Sequence, residues 1–218
     1  MKFEALTIQS VKSISQRVLL WYWNDLAAGR RFPAMSDFHF DARMHDPKGL
    51  LIWNIERDAG RRRFRARYHG ERIAEAFQGS WVGKTMDEIV PQAVRQYGLD
   101  AAHECAESGC AVFSVISTVD VAGHRVDCER LLLPFGNGVE VEQLVASMQL
   151  ISLRGNFERK TVLNDYRMTS RVELAGRISA GFAKPVITTP GLVIELGATD
   201  ANIPGQVIRH LEESTSSV

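Results

Sequence analysis

Between Arg63 and Phe77 the chain changes its hydrophobic period. Phe64, Ala66 and Tyr68 alternate with Arg63, Arg65 and Arg67, the two-residue repeat of a strand with one less polar face. His69-Gly70 breaks that repeat, and Ile73, Ala76 and Phe77 then recur at helical spacing among Glu71, Arg72 and Glu75. Just upstream, Leu50 to Glu56 (LLIWNIE) has the aliphatic and aromatic character of a strand. Asp58-Ala59-Gly60 supplies a turn, so the two strands form a hairpin.

Ahead of the hairpin, Ile14 to Ala28 reads as an amphipathic helix, with Ser13 or Ser15 as its N-cap and Gly29 as a left-handed stop. Its Trp21, Tyr22 and Trp23 are more large apolar surface than a small helix leaves in water. The helix therefore docks on its own domain or packs against a second copy, and Val18, Trp21, Tyr22 and Trp23 are the interface candidates. Pro33 and Pro47 interrupt the connector that follows. After the hairpin, Thr85 caps a short helix at Met86. Pro91 then sits in the first turn of a longer helix ending near Ser108, with Val94, Tyr97, Ala101 and Cys105 on its inner face. Three strands follow, CAVFSVISTVDV, ERLLLPFG and EQLVASMQLIS, the last two joined through Asn137-Gly138.

Strands separated by a block of helices indicate an α+β fold with a mainly antiparallel sheet. The organisation is residues 1–49 as N-terminal helix and connector, 50–152 as the sheet domain, and 153–218 as an extension. Within the extension we expect a helix from Leu163 to Ile178, an apolar strand or docked segment from Pro190 to Leu196, and a short helix from Pro204. A disordered tail is expected from about Glu212.

Composition narrows the class without naming an activity. A chain of 218 residues with 45% hydrophobic and 24% charged residues is an ordinary globular composition. Basic and acidic residues balance at 26 each, which gives no global field toward nucleic acid or anionic membrane. No apolar run approaches the ~20 residues of a membrane span, and the N-terminus lacks a signal-peptide core, so a cytoplasmic location is expected. Cys105, Cys110 and Cys128 lack CxxC spacing and read as free, partly buried thiols.

The order of elements, together with WYWNDLAAGRRFPAMSDF, FRARYHGERIAEAFQGSWVGKTMDEI, GCAVFSV, ERLLLPF and ASMQLI, resembles the short, stand-alone bacterial PAS subfamily over Leu19 to Ser152. The resemblance implies a five-stranded antiparallel sheet with helices on one face, and a sensory cleft between them. Tyr68, Phe77, Trp81, Tyr97, Phe113 and Met148 are the candidates to line that cleft, against the alternative of a filled core. Haem-binding relatives carry a histidine on the long helix. Here His103 lies near that helix's end and Ala93 to Gln96 contain none, while TMDEIVPQ lacks the cysteine of flavin photoreceptors. Neither haem nor flavin is expected.

The arginine run Arg61, Arg62, Arg63, Arg65 and Arg67 could meet phosphates. Without interleaved exposed aromatics, a solvated or subunit-facing strand partnered by Glu and Asp on its neighbours is the preferred reading. No nucleophile, metal or phosphate-loop motif occurs. The leading expectation is a non-enzymatic regulatory protein that acts through protein contacts, as a homodimer and with a signalling partner. The alternative is a sensor of a metabolite, lipid or nucleotide; the third is an enzyme of unfamiliar type.

Overall fold

The β-rich segments assemble into a seven-stranded mixed sheet, in a computed structural model that describes residues 1–41, 46–76, 79–90, 92–119, 124–152, 170–183, 187–189 and 192–194. In chain order its elements are β1 (Glu4–Ala5), α1 (Ile14–Ala27), β2 (Leu50–Asp58), β3 (Arg61–His69), α2 (Glu71–Ala76), α3 (Met86–Ile89), α4 (Gln92–Ser108), β4 (Ala111–Val119), β5 (Arg125–Gly136), β6 (Val141–Ser152) and β7 (Arg171–Ile178). Strands lie in the order β1-β7-β4-β5-β6-β2-β3. All neighbours are antiparallel except β1, which runs parallel to β7. These elements belong to one unit, Met1–Phe182. A second unit, Ala183–Val218, contains the antiparallel pair β8 (Ile187–Thr189) and β9 (Leu192–Ile194).

The fold class is α+β, as the sequence indicates, but the sheet has seven strands where five were expected. Both additions come from outside residues 50–152. Arg171–Ile178 is strand β7 rather than the end of a helix starting at Leu163; residues 163–169 lie outside the described residues. Val172, Leu174 and Ile178 supply a two-residue apolar repeat, which pairing with β4 favours over the weaker helical period. Gly176 makes room for β1, because a Cβ there would lie 2.5 Å from the Glu4 carbonyl oxygen and 2.4 Å from Leu6 Cγ. The apolar segment at Pro190–Leu196 contains β9, while the helix expected from Pro204 and the tail lie outside the described residues.

Helices cover both faces of the sheet. On one face, Leu19, Leu20 and Trp23 of α1 pack over Leu50, Ile52, Phe113, Leu131, Leu133, Phe135 and Val145. On the other, Ile73, Trp81, Met86, Ala101, Ala102 and Cys105 pack over Leu51, Trp53, Phe64, Val112, Leu132, Leu144 and Ala146. Double coverage explains why LLIW and LLLPF are apolar without alternation: both sets of side chains are buried. Ser13 caps α1 through a 3.4 Å bond from the Gln16 N–H, and Ala28 and Gly29 end it with φ of 47° and 81°. In the hairpin, Ala59 and Gly60 both have positive φ (47° and 79°), the requirement of a tight type I′ connection.

Candidate functional site

The sheet face beneath α4, where the PAS resemblance implies a cleft, holds a packed core among the described residues and gathers a different set of side chains. Trp81 packs 6.0 Å from Trp53, ring centre to ring centre, in the core on this face, and Met148 packs against the same core. Tyr97 contributes its carbonyl oxygen, which accepts a 3.1 Å hydrogen bond from Arg130 Nη2. Tyr68 and Phe113 are elsewhere, in the core on the α1 face. For Tyr68 the reason is a bulge: Ile52 pairs with Tyr68 and Trp53 with Ala66, so Arg67 is an extra residue and the alternation reverses beyond it. Tyr68 instead packs on Phe40 at 5.1 Å and donates to the Pro47 carbonyl at 3.3 Å. For Phe113 the reason is register, since it shares the face of Val115 while Val112 points toward α4. Phe77 lies outside the described residues.

Arg130 is the unexpected occupant. It stands on β5, the middle strand of the seven, paired in register with Ser114 of β4 on one side and Met148 of β6 on the other. In an antiparallel sheet such partners project from the same face, here the face of Leu132 and α4. Gly98 brings α4 down close: a Cβ on it would lie 3.5 Å from Arg130 Nη1 and 3.7 Å from both Met86 Sδ and Val90 Cγ1. Arg130 Nε is buried and has no hydrogen-bond partner among the described residues, and the same holds for the hydroxyl of Ser114, a residue 1% exposed. No carboxylate pairs with Arg130 among the described residues; burial lowers its pKa from the ordinary arginine value. Its titratable neighbours are the thiols of Cys105 and Cys128. Burial raises both, Cys128 to about 11 and Cys105 well above the usual thiol range, so they supply no negative charge. Arg130 as a residue is half-buried, and the atom shut away from solvent without a partner is its Nε.

A family-model scan, a search of curated proteins and a search of solved structures each give no match.

Two other regions were candidates from the sequence. The arginine-rich hairpin borders an open cleft of about 710 Å³ lined by Arg57, Arg61, Arg62, Arg63, His103 and Glu107 among others. Its arginines meet carboxylates: Arg62 with Glu107 at 2.9 Å, Arg63 with Asp58 at 3.2 Å and Arg57 with Glu140 at 2.8 Å. Farther along the strand, Arg65 reaches Glu56 at 2.8 Å. Arg62, Arg63 and Arg65 thus have the Glu and Asp partners expected from the sequence. His103 at its rim rests edge-on against Phe64, with ring centres 5.0 Å apart.

The aromatic helix α1 is the second. Trp23 is fully buried, and its indole N–H donates to the Pro134 carbonyl at 2.8 Å. Val18, Trp21 and Tyr22 are half-buried, and the most exposed apolar side chain of the helix is Ile14 at 72%. Of the two alternatives left by the sequence, docking on its own sheet accounts for most of this surface, and Trp23 is not available to a second copy. No helix among the described residues is long and apolar enough to cross a membrane.

The signal for Arg130 was present in the strand ERLLLPF. A charged residue two positions before Leu132, on a strand buried on both faces, must share Leu132's face. The cost of that placement becomes visible only once the helix covering that face is known.

Proposed function

We propose that the chain is a non-enzymatic, PAS-like regulatory protein that senses a small molecule held between α4 and the sheet. The observation that carries this reading is the buried, unpartnered Nε of the half-buried Arg130 beside the buried, unpartnered Ser114 hydroxyl, both on the helix-covered side of a largely apolar core. The element order supports it. Strands β3-β2-β6-β5-β4 are consecutive neighbours, and α2, α3 and α4 all fall between β3 and β4. That is the arrangement that motivates the PAS resemblance over Leu19 to Ser152. On this reading the protein works in the cytoplasm and passes its state to a protein partner.

Regulation by contacts alone, through a homodimer formed on α1, is less well supported because Trp23, Leu19 and Leu20 are buried against the chain's own sheet. Native mass spectrometry of freshly purified protein separates the readings. A persistent added mass, released on unfolding, is expected. If there is no added mass and a chemically mixed metabolite panel produces no thermal shift, the sensor reading is overturned.

A further inference from the structure

We propose that the open cleft beside the tip of the β2–β3 hairpin holds a short peptide by its two charged ends, the C-terminal carboxylate on Arg61 and the N-terminal ammonium on Asp87. This site is separate from the one proposed above, since neither Arg130 nor Ser114 lines it. Three elements wall the cleft. The hairpin brings Arg57 and residues 60–63, and α3 with its cap brings Thr85, Asp87 and Glu88. Helix α4 brings Leu99, His103 and Glu107, spaced by four and so on one helical face. The volume of about 710 Å³ is that of a small-ligand site, and Leu99 is the only large apolar side chain among the described residues that line it.

Ion pairing decides what the cleft has left to offer. Arg57 is held by Glu140, Arg62 by Glu107 and Arg63 by Asp58, while Glu88 accepts the Thr85 N–H at 2.6 Å. Arg61 and Asp87, both exposed, have no ion pair or side-chain hydrogen bond among the described residues. One cation on the hairpin wall and one anion on the α3 wall are therefore uncommitted. Counting Asp58 and Glu140, four arginines meet five carboxylates, so no positive excess favours a phosphate. A zwitterion adds no net charge and meets both free groups. Its charges have to reach two walls, which suits the termini of a short peptide better than those of one amino acid. His103 rests its ring on Phe64, and its ring nitrogens have no hydrogen bond among the described residues, so it can bond a peptide group between the two ends.

The test titrates the full chain with alanine and with its unblocked dipeptide, tripeptide and tetrapeptide. The same peptides N-acetylated or C-amidated, and inorganic phosphate, are the comparisons. Binding is read from backbone amide NMR shifts. Unblocked peptides should move the amides of Arg61, Asp87 and His103, and alanine should bind more weakly. Either cap should weaken binding by up to about fivefold, the worth of one exposed ion pair, and added salt should weaken it further.

Arg61→Gln should erase the penalty of C-amidation alone, and Asp87→Asn that of N-acetylation alone. Both side chains are exposed, so both variants should melt with the parent. Capped peptides that bind as well as free ones would remove the termini from recognition and overturn the proposal. Alanine binding as tightly as any peptide would overturn the ligand class, as would phosphate that displaces the peptides. If no peptide moves the amides of the cleft, Arg61 and Asp87 are solvated surface charges and the proposal falls. The sensor reading survives each of these results, because its polar groups lie on β4 and β5.

Discussion

Glu129 offers a direct test of the packing between α1 and the sheet. It is 1% exposed on the face covered by α1, and one of its carboxylate oxygens, Oε2, has no hydrogen-bond partner among the described residues. Gln16 of α1 is fully buried beside it, donating from Nε2 to the Glu129 carbonyl at 3.3 Å and the Ser147 carbonyl at 3.0 Å. Its own Oε1 is also unpartnered. This seam therefore holds two buried acceptors and lacks a donor, which a proton on Glu129 would supply. Burial pushes the Glu129 carboxyl above its ordinary value, as does Asp127, while the Ser13 backbone and Lys12 pull it down; burial prevails.

The sign follows from linkage. A raised native pKa means that the folded protein binds this proton more tightly than the unfolded chain. The associated stability is complete below the unfolded value of about 4.3 and is lost as pH rises through the higher native value.

Replacing Glu129 by Gln supplies a permanent donor and removes the charge. The gain at pH 8 should be about 1–3 kcal/mol, the usual cost of an unsatisfied buried polar group. Near pH 4 it should almost vanish, because protonated Glu and Gln are then similar. Urea denaturation of both proteins across this range gives the difference directly, and cancels contributions from every other titrating group. A Glu129→Gln protein that is less stable at pH 8, or whose advantage is the same at both pH values, would refute the reasoning.

Two further outcomes are expected. Trp23→Phe removes the indole donor and leaves the Pro134 carbonyl without it, at a cost of about 1–3 kcal/mol, while Trp23→Ala should cost about 3–5 kcal/mol. Both losses should appear in urea midpoints that do not change with protein concentration; a concentration-dependent midpoint would place Trp23 in a subunit interface. Among the three free cysteines, only Cys110 is partly exposed, so an aromatic disulfide reagent should titrate at most one thiol rapidly in native protein at pH 8. Cys105 and Cys128, buried with raised pKa values, should react only after unfolding; fast labelling of either would contradict their burial.

What could be read from the sequence was local. The helix Ile14–Ala27, the hairpin through Asp58-Ala59-Gly60, the Thr85 cap with its 2.6 Å bond to Glu88, and the strands β4 to β6 all announce themselves through short-range periodicity and turn chemistry. What could not be read depends on pairing between distant segments. Strand β7 is defined by its ladder with β4, and β1 is only two residues long, so neither had a decisive local signature. Tyr68 was assigned to the wrong face because one inserted residue, Arg67, reverses the alternation, and a bulge has no local signature as clear as that of a turn. The candidate site was legible only in part, since Trp81 and Met148 follow from apolar patterning while Arg130 and Ser114 require the register between β4 and β5.

Glu129 and Arg130 show why that register matters more than sequence proximity. Adjacent in the chain, they read as an acid and a base that could neutralise one another. On a strand, adjacent side chains leave opposite faces, so the carboxylate goes under α1 and the guanidinium under α4. Because β5 is the central strand and both faces are covered, neither group reaches its sequence neighbour, and Glu129 has no easy route to solvent while Arg130 is half-buried. Each must find its complement on its own side. A proton can serve that purpose for Glu129, whose environment already favours the neutral form. Arginine cannot shed its charge in this way at ordinary pH, and Arg130 instead stays half-buried and donates to the Tyr97 carbonyl. The same two-residue period that builds the sheet thus keeps a potential ion pair apart, sealing Glu129 under α1 and leaving Arg130 half-buried on the face of α4.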